Sequence, residues 1–257
     1  MNCRPLVFSM WLLLGPGNVA GAEESEVAPD RPDVTDSAQT IPLGAVQLET
    51  GIEYARARQA GGPIQQSLTF QGTLRVGLSD RLEARLQGGP VVRLQGGEDT
   101  DHGSLAAGLK YRFLDDEAWW PSLGVEPFVT VPFSPTGSGR PDFGARALAS
   151  WALPWRLSLD VNAGMGAVAQ NGPGGYLLQA LVSASLGKQI TERLSGFVEL
   201  FFATRRERGG RDSLEFDTGL VYLLTRQLAL DAAVAITLTG RGPDVAIQTG
   251  VSVRFGR

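Results

Sequence analysis

From residue 45 to its end the chain alternates apolar and polar side chains with a period of two, segment after segment. Successive side chains of an extended strand point to opposite faces, so this pattern specifies strands with one apolar and one polar face. About twelve segments carry it, at 45–56, 66–78, 82–94, 103–113, 121–133, 142–153, 156–168, 176–187, 194–205, 212–223, 228–238 and 244–255. Each is about 11–13 residues long, twice the ordinary globular strand. A strand crossing a bilayer at a tilt needs about 9–11. Helical spacing is sustained nowhere.

The charges decide which face looks where. Within these segments they are Glu49, Glu53, Arg75, Glu83, Arg85, Lys110, Arg112, Glu126, Arg146, Asp160, Glu199, Glu215, Asp217, Asp231 and Arg254, and each takes the parity opposite to the apolar set. A soluble sandwich would turn the apolar faces inward. Long strands, all carrying an unbroken apolar face, fit the inverse arrangement better, with the apolar face on lipid and the polar face around a lumen. Hydrocarbon leaves no backbone group unpaired, and a closed barrel has no edge. The expected fold is therefore all-β: an antiparallel transmembrane β-barrel of about twelve strands over 45–257. One residue resists this reading. Pro127 sits inside the fifth segment, where it cannot donate a ladder hydrogen bond, so a bulge or a shifted boundary is expected there.

Connections alternate between compact turns ending in Arg or Gln before Leu, as in Ser79-Asp80-Arg81, and longer Gly-rich loops, as in Arg206–Arg211. Short turns on the periplasmic side and longer loops outside are usual for such barrels. Aromatics fall in two sets. Tyr54, Phe70, Phe133, Phe143, Tyr176, Phe202 and Phe216 lie toward the loop ends. Tyr111, Phe113, Trp119, Trp120, Trp151, Trp155, Tyr222 and Phe255 lie toward the turn ends. Two such girdles suit the two membrane interfaces.

Ahead of the barrel lie two different stretches. Residues 1–22 place one cation, Arg4, before the apolar run Pro5–Leu14, then small residues at Ala20-Gly21-Ala22. That is the layout of a cleaved secretory signal peptide. Residues 23–44 are polar, acidic and proline-bearing, an irregular arm. The chain's single Cys, Cys3, and single His, His102, cannot build a zinc site, and neither metal nor cofactor is expected. A net charge of −4 argues against a nucleic-acid partner.

Asp30-Arg31-Pro32-Asp33-Val34-Thr35-Asp36-Ser37, followed by Ile41-Pro42-Leu43-Gly44-Ala45-Val46-Gln47-Leu48-Glu49-Thr50-Gly51-Ile52-Glu53-Tyr54, resembles the opening of a bacterial outer-membrane family. Its members are labelled for the MetA pathway of phenol degradation, or simply transporters. The resemblance implies an exported Gram-negative outer-membrane barrel that moves small hydrophobic or aromatic compounds. It brings no catalytic residues.

The lumen-lining groups expected to meet solute are Arg75, Arg85, Lys110, Arg112, Glu126, Arg146, Asp160, Glu199, Glu215, Asp217 and Asp231, joined in an ion-pair network across the barrel. The arm either narrows the lumen as a plug, with Arg31, Asp33 and Asp36 meeting Arg75, Arg85, Lys110, Arg112 and Arg146, or hangs below the barrel as a disordered periplasmic tail. The expected partners are outer-membrane lipid, lipopolysaccharide and a small solute. Two other classes compete with passage. A structural or surface barrel would use loop cations Arg206, Arg208 and Arg211 on lipopolysaccharide phosphates. A lipid hydrolase would pair His102 with Ser104 in the spacing of outer-membrane phospholipase A, but Ser104 falls on the inward parity, away from lipid.

Overall fold

The computed structural model of the 257-residue chain describes residues 26–58, 64–95, 101–117, 119–133, 138–171, 174–240 and 242–256, without the side chains of 92–95 and 101–102. The leader expected at 1–22, parts of the long loops and the side chain of His102 lie outside them.

Twelve antiparallel strands form one closed barrel. They are β1 (Val46–Arg58), β2 (Ile64–Ser79), β3 (Leu82–Gln95), β4 (Asp101–Leu114), β5 (Ser122–Pro132) and β6 (Asp142–Leu153). The second half comprises β7 (Leu157–Ala169), β8 (Tyr176–Gln189), β9 (Leu194–Ala203), β10 (Ser213–Thr225), β11 (Leu228–Thr239) and β12 (Val245–Phe255). Each strand pairs with its sequence neighbours, and β1 closes on β12 with Val46 opposite Phe255 and Arg56 opposite Val245. Both ends of the barrel segment therefore sit at the rim of short turns.

Burial is inverted relative to a soluble protein. Leu178 is 63 % exposed and Ile247 57 %, whereas Lys110 and Glu83 are 0 % exposed and Arg75 2 %. Most leucines and valines of the strands look out, Leu148, Val168 and Leu181 being inward exceptions, and the ionic side chains named above look in, which is the arrangement lipid imposes. The outward aromatics lie in two bands, with Trp119 and Trp120 stacked at 4.5 Å near the turn rim and Phe143 beside Tyr176 near the loop rim. Inward-facing Phe128, Phe197 and Phe201, by register with Gly144, Gly219 and Glu215, belong to neither band.

Pro127 causes no bulge. On either side of it the β4–β5 pairs Gly108–Phe128 and Tyr111–Val125 keep the same register, and only the rungs between them are missing. On its other side β5 pairs with β6 without interruption, Pro127 facing Ala145. Its side chain is exposed on the outer face, so the strand runs straight and forfeits a bond rather than changing direction. Pro90 is where a shift occurs instead, between Gly89 and Val91 in the β3–β4 ladder.

Candidate functional site

The arm folds into the barrel. It starts at the turn rim, where Val27 N–H donates to the Arg226 carbonyl (2.8 Å) between β10 and β11. It climbs beside β1, β2 and β12, with Gln47 Nε2 and Arg75 Nη1 donating to the Ala28 carbonyl at 3.1 and 3.2 Å. It then crosses to β8 and β9, where Val34 N–H meets Glu199 (2.8 Å) and Thr35 Oγ1 donates to Ser183 (2.7 Å). It returns past Asn162, Ser150 and Ser122, each bonded to an arm residue at 2.8–2.9 Å. Ile41 N–H meets Glu83 (2.9 Å), and Gly44 N–H closes on Gly77 (2.9 Å) before β1 begins. A polar arm without secondary structure can sit here because wall side chains receive its backbone groups.

One ionic cluster holds most of it. Asp30 meets Arg75 (3.2 Å), Arg85 (3.1 Å) and Lys110 (2.7 Å). Asp36 meets Arg85 (3.1 Å) and Arg146 (2.6 Å). Glu126 bridges Arg85 and Arg146 at 3.2 and 3.1 Å, and Arg75 also contacts Glu49 (3.1 Å) and Glu83 (2.7 Å). Burial opposes ionisation of Asp30, but Arg75, Lys110 and Arg85 hold its carboxyl well below the usual range. Asp36 is lowered likewise, burial being outweighed by Arg85 and Arg146. Asp33 goes the other way. Burial and the Glu199 carboxylate push it well above the ordinary value, and a hydrogen bond with Ser185 offsets only part of this.

Several sequence expectations land differently. Of the three arm residues singled out, only Asp36 meets the expected cations. Arg31 turns instead to Asp231 (3.2 Å) and Gln71, and Asp33 lies among acids. The hub is Asp30, which stands in the same quoted motif but was not picked out. Arg112 binds Gln39 and Asp115. Asp160 accepts from Ser150. The ionic network does not run wall to wall. It lies on β1–β6 and is completed by the arm, leaving Glu199, Glu215, Asp217 and Asp231 of β9–β11 outside it. Glu199 and Asp217 face each other across the β9–β10 ladder.

Above the arm, toward the loops, lies a cavity of about 940 Å³. Asp30–Val34 and Asp36 form its floor. Its walls carry uncharged Gln71, Gln87, Thr130, Gln179 and Gln248 together with charged Glu49, Glu53, Arg85 and Arg146, and its rim carries Arg140, Asp142 and Arg206. Ser104 is among the lining residues, so it faces the lumen and not lipid. Arg140 stacks over Tyr176 (5.2 Å) and Arg206 pairs with Asp142 (2.8 Å). Among the described residues no group of acids, His or Cys is arranged to hold a metal ion.

The sequence profile of the family described as "Putative MetA-pathway of phenol degradation" matches residues 29–255. The chain belongs to this family. The match to the MetA-pathway family takes in both the arm from Pro29 and all twelve strands. Many solved structures share the fold, three of them as follows. The COG4313 outer membrane channel from Pseudomonas putida F1 is 16 % identical, with a TM-score of 0.65 over 90 % of this chain and 100 % of that one. The NanC porin is 10 % identical, TM-score 0.59, over 81 % and 98 %. The β domain of the Bordetella autotransporter BrkA is 13 % identical, TM-score 0.54, over 82 % and 100 %. No curated protein matches the chain.

Proposed function

We propose that this MetA-pathway family member is an outer-membrane barrel through which small solutes, hydrophobic or aromatic ones included, pass without chemical change. The arm is its internal plug. The observation that carries this reading is the 940 Å³ cavity, which faces the loop side and has the arm as its floor. A side-chain-filled core would leave no such space, and a soluble core would not expose its leucines. Membership in the family and the channel and porin relatives of the fold support passage over a purely structural role. In this reading the long loops face outward to lipopolysaccharide, the short turns face the periplasm, and residues 1–22 are removed on export. The lumen groups Arg75, Arg85, Lys110, Glu126 and Arg146 anchor the plug, as do Glu199 and Asp231, and of these Arg85 and Arg146 also line the cavity.

Liposome swelling tests this directly. Vesicles holding the protein should swell in small neutral aromatic and sugar solutes. Removal of residues 23–43 should speed the swelling. Because that deletion strips partners from buried charges, Asp36→Asn provides a milder second variant expected to act in the same direction. No swelling with any protein would end the passage reading, and equal rates in all three would end the plug.

A further inference from the structure

The arm does not hold the barrel evenly. Among the described residues its hydrogen bonds and ion pairs reach β1–β9, β11 and β12, and none reaches β10. Toward β2–β6 the contact is a dense ionic cluster. Toward the opposite wall the described contacts include the Arg31–Asp231 ion pair and, nearer the turn rim, Arg254 on the Glu26 carbonyl.

That wall is also built from small side chains. Gly219, Ala233 and Gly250 face inward, by register with Phe197, Gln248 and Asp231, and the Phe197 ring packs over Gly219. Between them lie polar atoms with nothing to bond. Asp217 Oδ1, Asp231 Oδ2 and Ser252 Oγ are buried and lack a hydrogen-bond partner among the described residues, as does Arg31 Nε. Asp217 is 5 % exposed and Asp231 4 %. Buried polar atoms are nearly always satisfied, by protein or by water. On the other wall the Nε atoms of Arg85, Arg112 and Arg146 are unsatisfied too, but their guanidinium groups are already bonded through Nη, whereas free acid and hydroxyl oxygens beside small side chains mark room for water.

Arg31 stands across this slot. Gly51 and Gly250 face each other over the β1–β12 seam, and a Cβ on either would collide with the Arg31 guanidinium. The guanidinium therefore lies flat where two side chains are missing, between Gln71 on β2 and Asp231 on β11. Gln248 fixes the backbone next to it, donating to the Pro32 carbonyl at 2.6 Å.

We infer that the permeation route runs between the arm and the β10–β12 wall, and that Arg31 is the positioning residue that bolts it. This rests on the passage reading above. The arm need not leave the barrel. Displacement of one side chain from its glycine seat joins the cavity to the slot. The slot carries Glu215, Asp217 and Asp231. Nearer the turn rim Arg254 is held by Gln47 (2.9 Å) and the Glu26 carbonyl (2.8 Å), so withdrawal of Arg31 leaves these acids in charge of selectivity.

Planar-bilayer recordings decide it. Arg31→Ala should raise single-channel conductance about twofold or more and shift the reversal potential toward cations. Gly250→Val, which evicts the guanidinium, should do the same where it folds. Independent of folding energetics, single cysteines can be placed in a Cys3→Ser background at two buried inward sites, Ala233 on β11 and Ser150 on β6. A cationic thiol reagent should block current at Ala233→Cys and spare Ser150→Cys. Unchanged Arg31→Ala conductance, or block at Ser150→Cys alone, overturns this route while leaving passage intact. Absence of current and swelling in every protein overturns passage itself.

Discussion

Lys110 shows what single residues contribute. It is fully buried, with Nζ donating to Asp30 (2.7 Å) and to the Ser37 carbonyl (2.9 Å). Stranding one member of a buried pair costs about 3–5 kcal/mol. Lys110→Met should lower stability in urea unfolding by less than that, because Asp30 keeps Arg75 and Arg85. Adding Asp30→Asn should give a total that departs from the sum, because the two residues share one network. Asp33 makes a prediction of opposite sign. Its carboxyl is raised, so the docked arm holds it neutral and that contribution fades as pH rises through the raised value. Asp30 and Asp36 are lowered, so their contribution is present above the ordinary carboxylate range and is lost only as pH falls through their depressed values. Conductance of the native barrel should therefore climb as pH rises through the raised value of Asp33. Asp33→Asn should flatten that climb and leave the acid limb unchanged.

Strands were the most legible elements, because lipid enforces the same alternation on every one of them. Boundaries agree within two or three residues, and the closure of β1 on β12 follows from strand number. Pro127 shows where the reading stopped. A missing donor is visible in sequence, but whether the chain bulges or merely loses a rung depends on both neighbours. Pro127→Val should add a bond to β4 and put a β-branched side chain on the outer face, raising unfolding stability by about 0.5–1.5 kcal/mol. The arm was legible only in part. Its acids and the basic lumen side chains could be matched by sign, giving Asp36 its partners. Arg31 and Asp33 escaped because their partners depend on how the arm turns at Pro32, and no periodic pattern encodes that. The glycine seat at Gly51 and Gly250 was equally hidden. Glycine inside a strand reads as a weakness until the side chain that fills the gap is known.

At the scale of the whole molecule, the inverted burial separates the two faces of one strand energetically. Val182, near the middle of β8, is 49 % exposed on the outer face. Val182→Arg should cost about 2–4 kcal/mol of stability in a bilayer, whereas Ala106→Arg, which points into the cavity, should fold and alter conductance instead. Refolding into vesicles with urea titration reads both. The arm has a further consequence at this scale. It joins β1 directly at one end, and at the other Val27 is tied to the Arg226 carbonyl, so both attachments lie on the turn rim. Both tethers of the plug share one rim, so the two mouths of the bore are not equivalent, and the current it admits should differ between the two polarities of applied voltage.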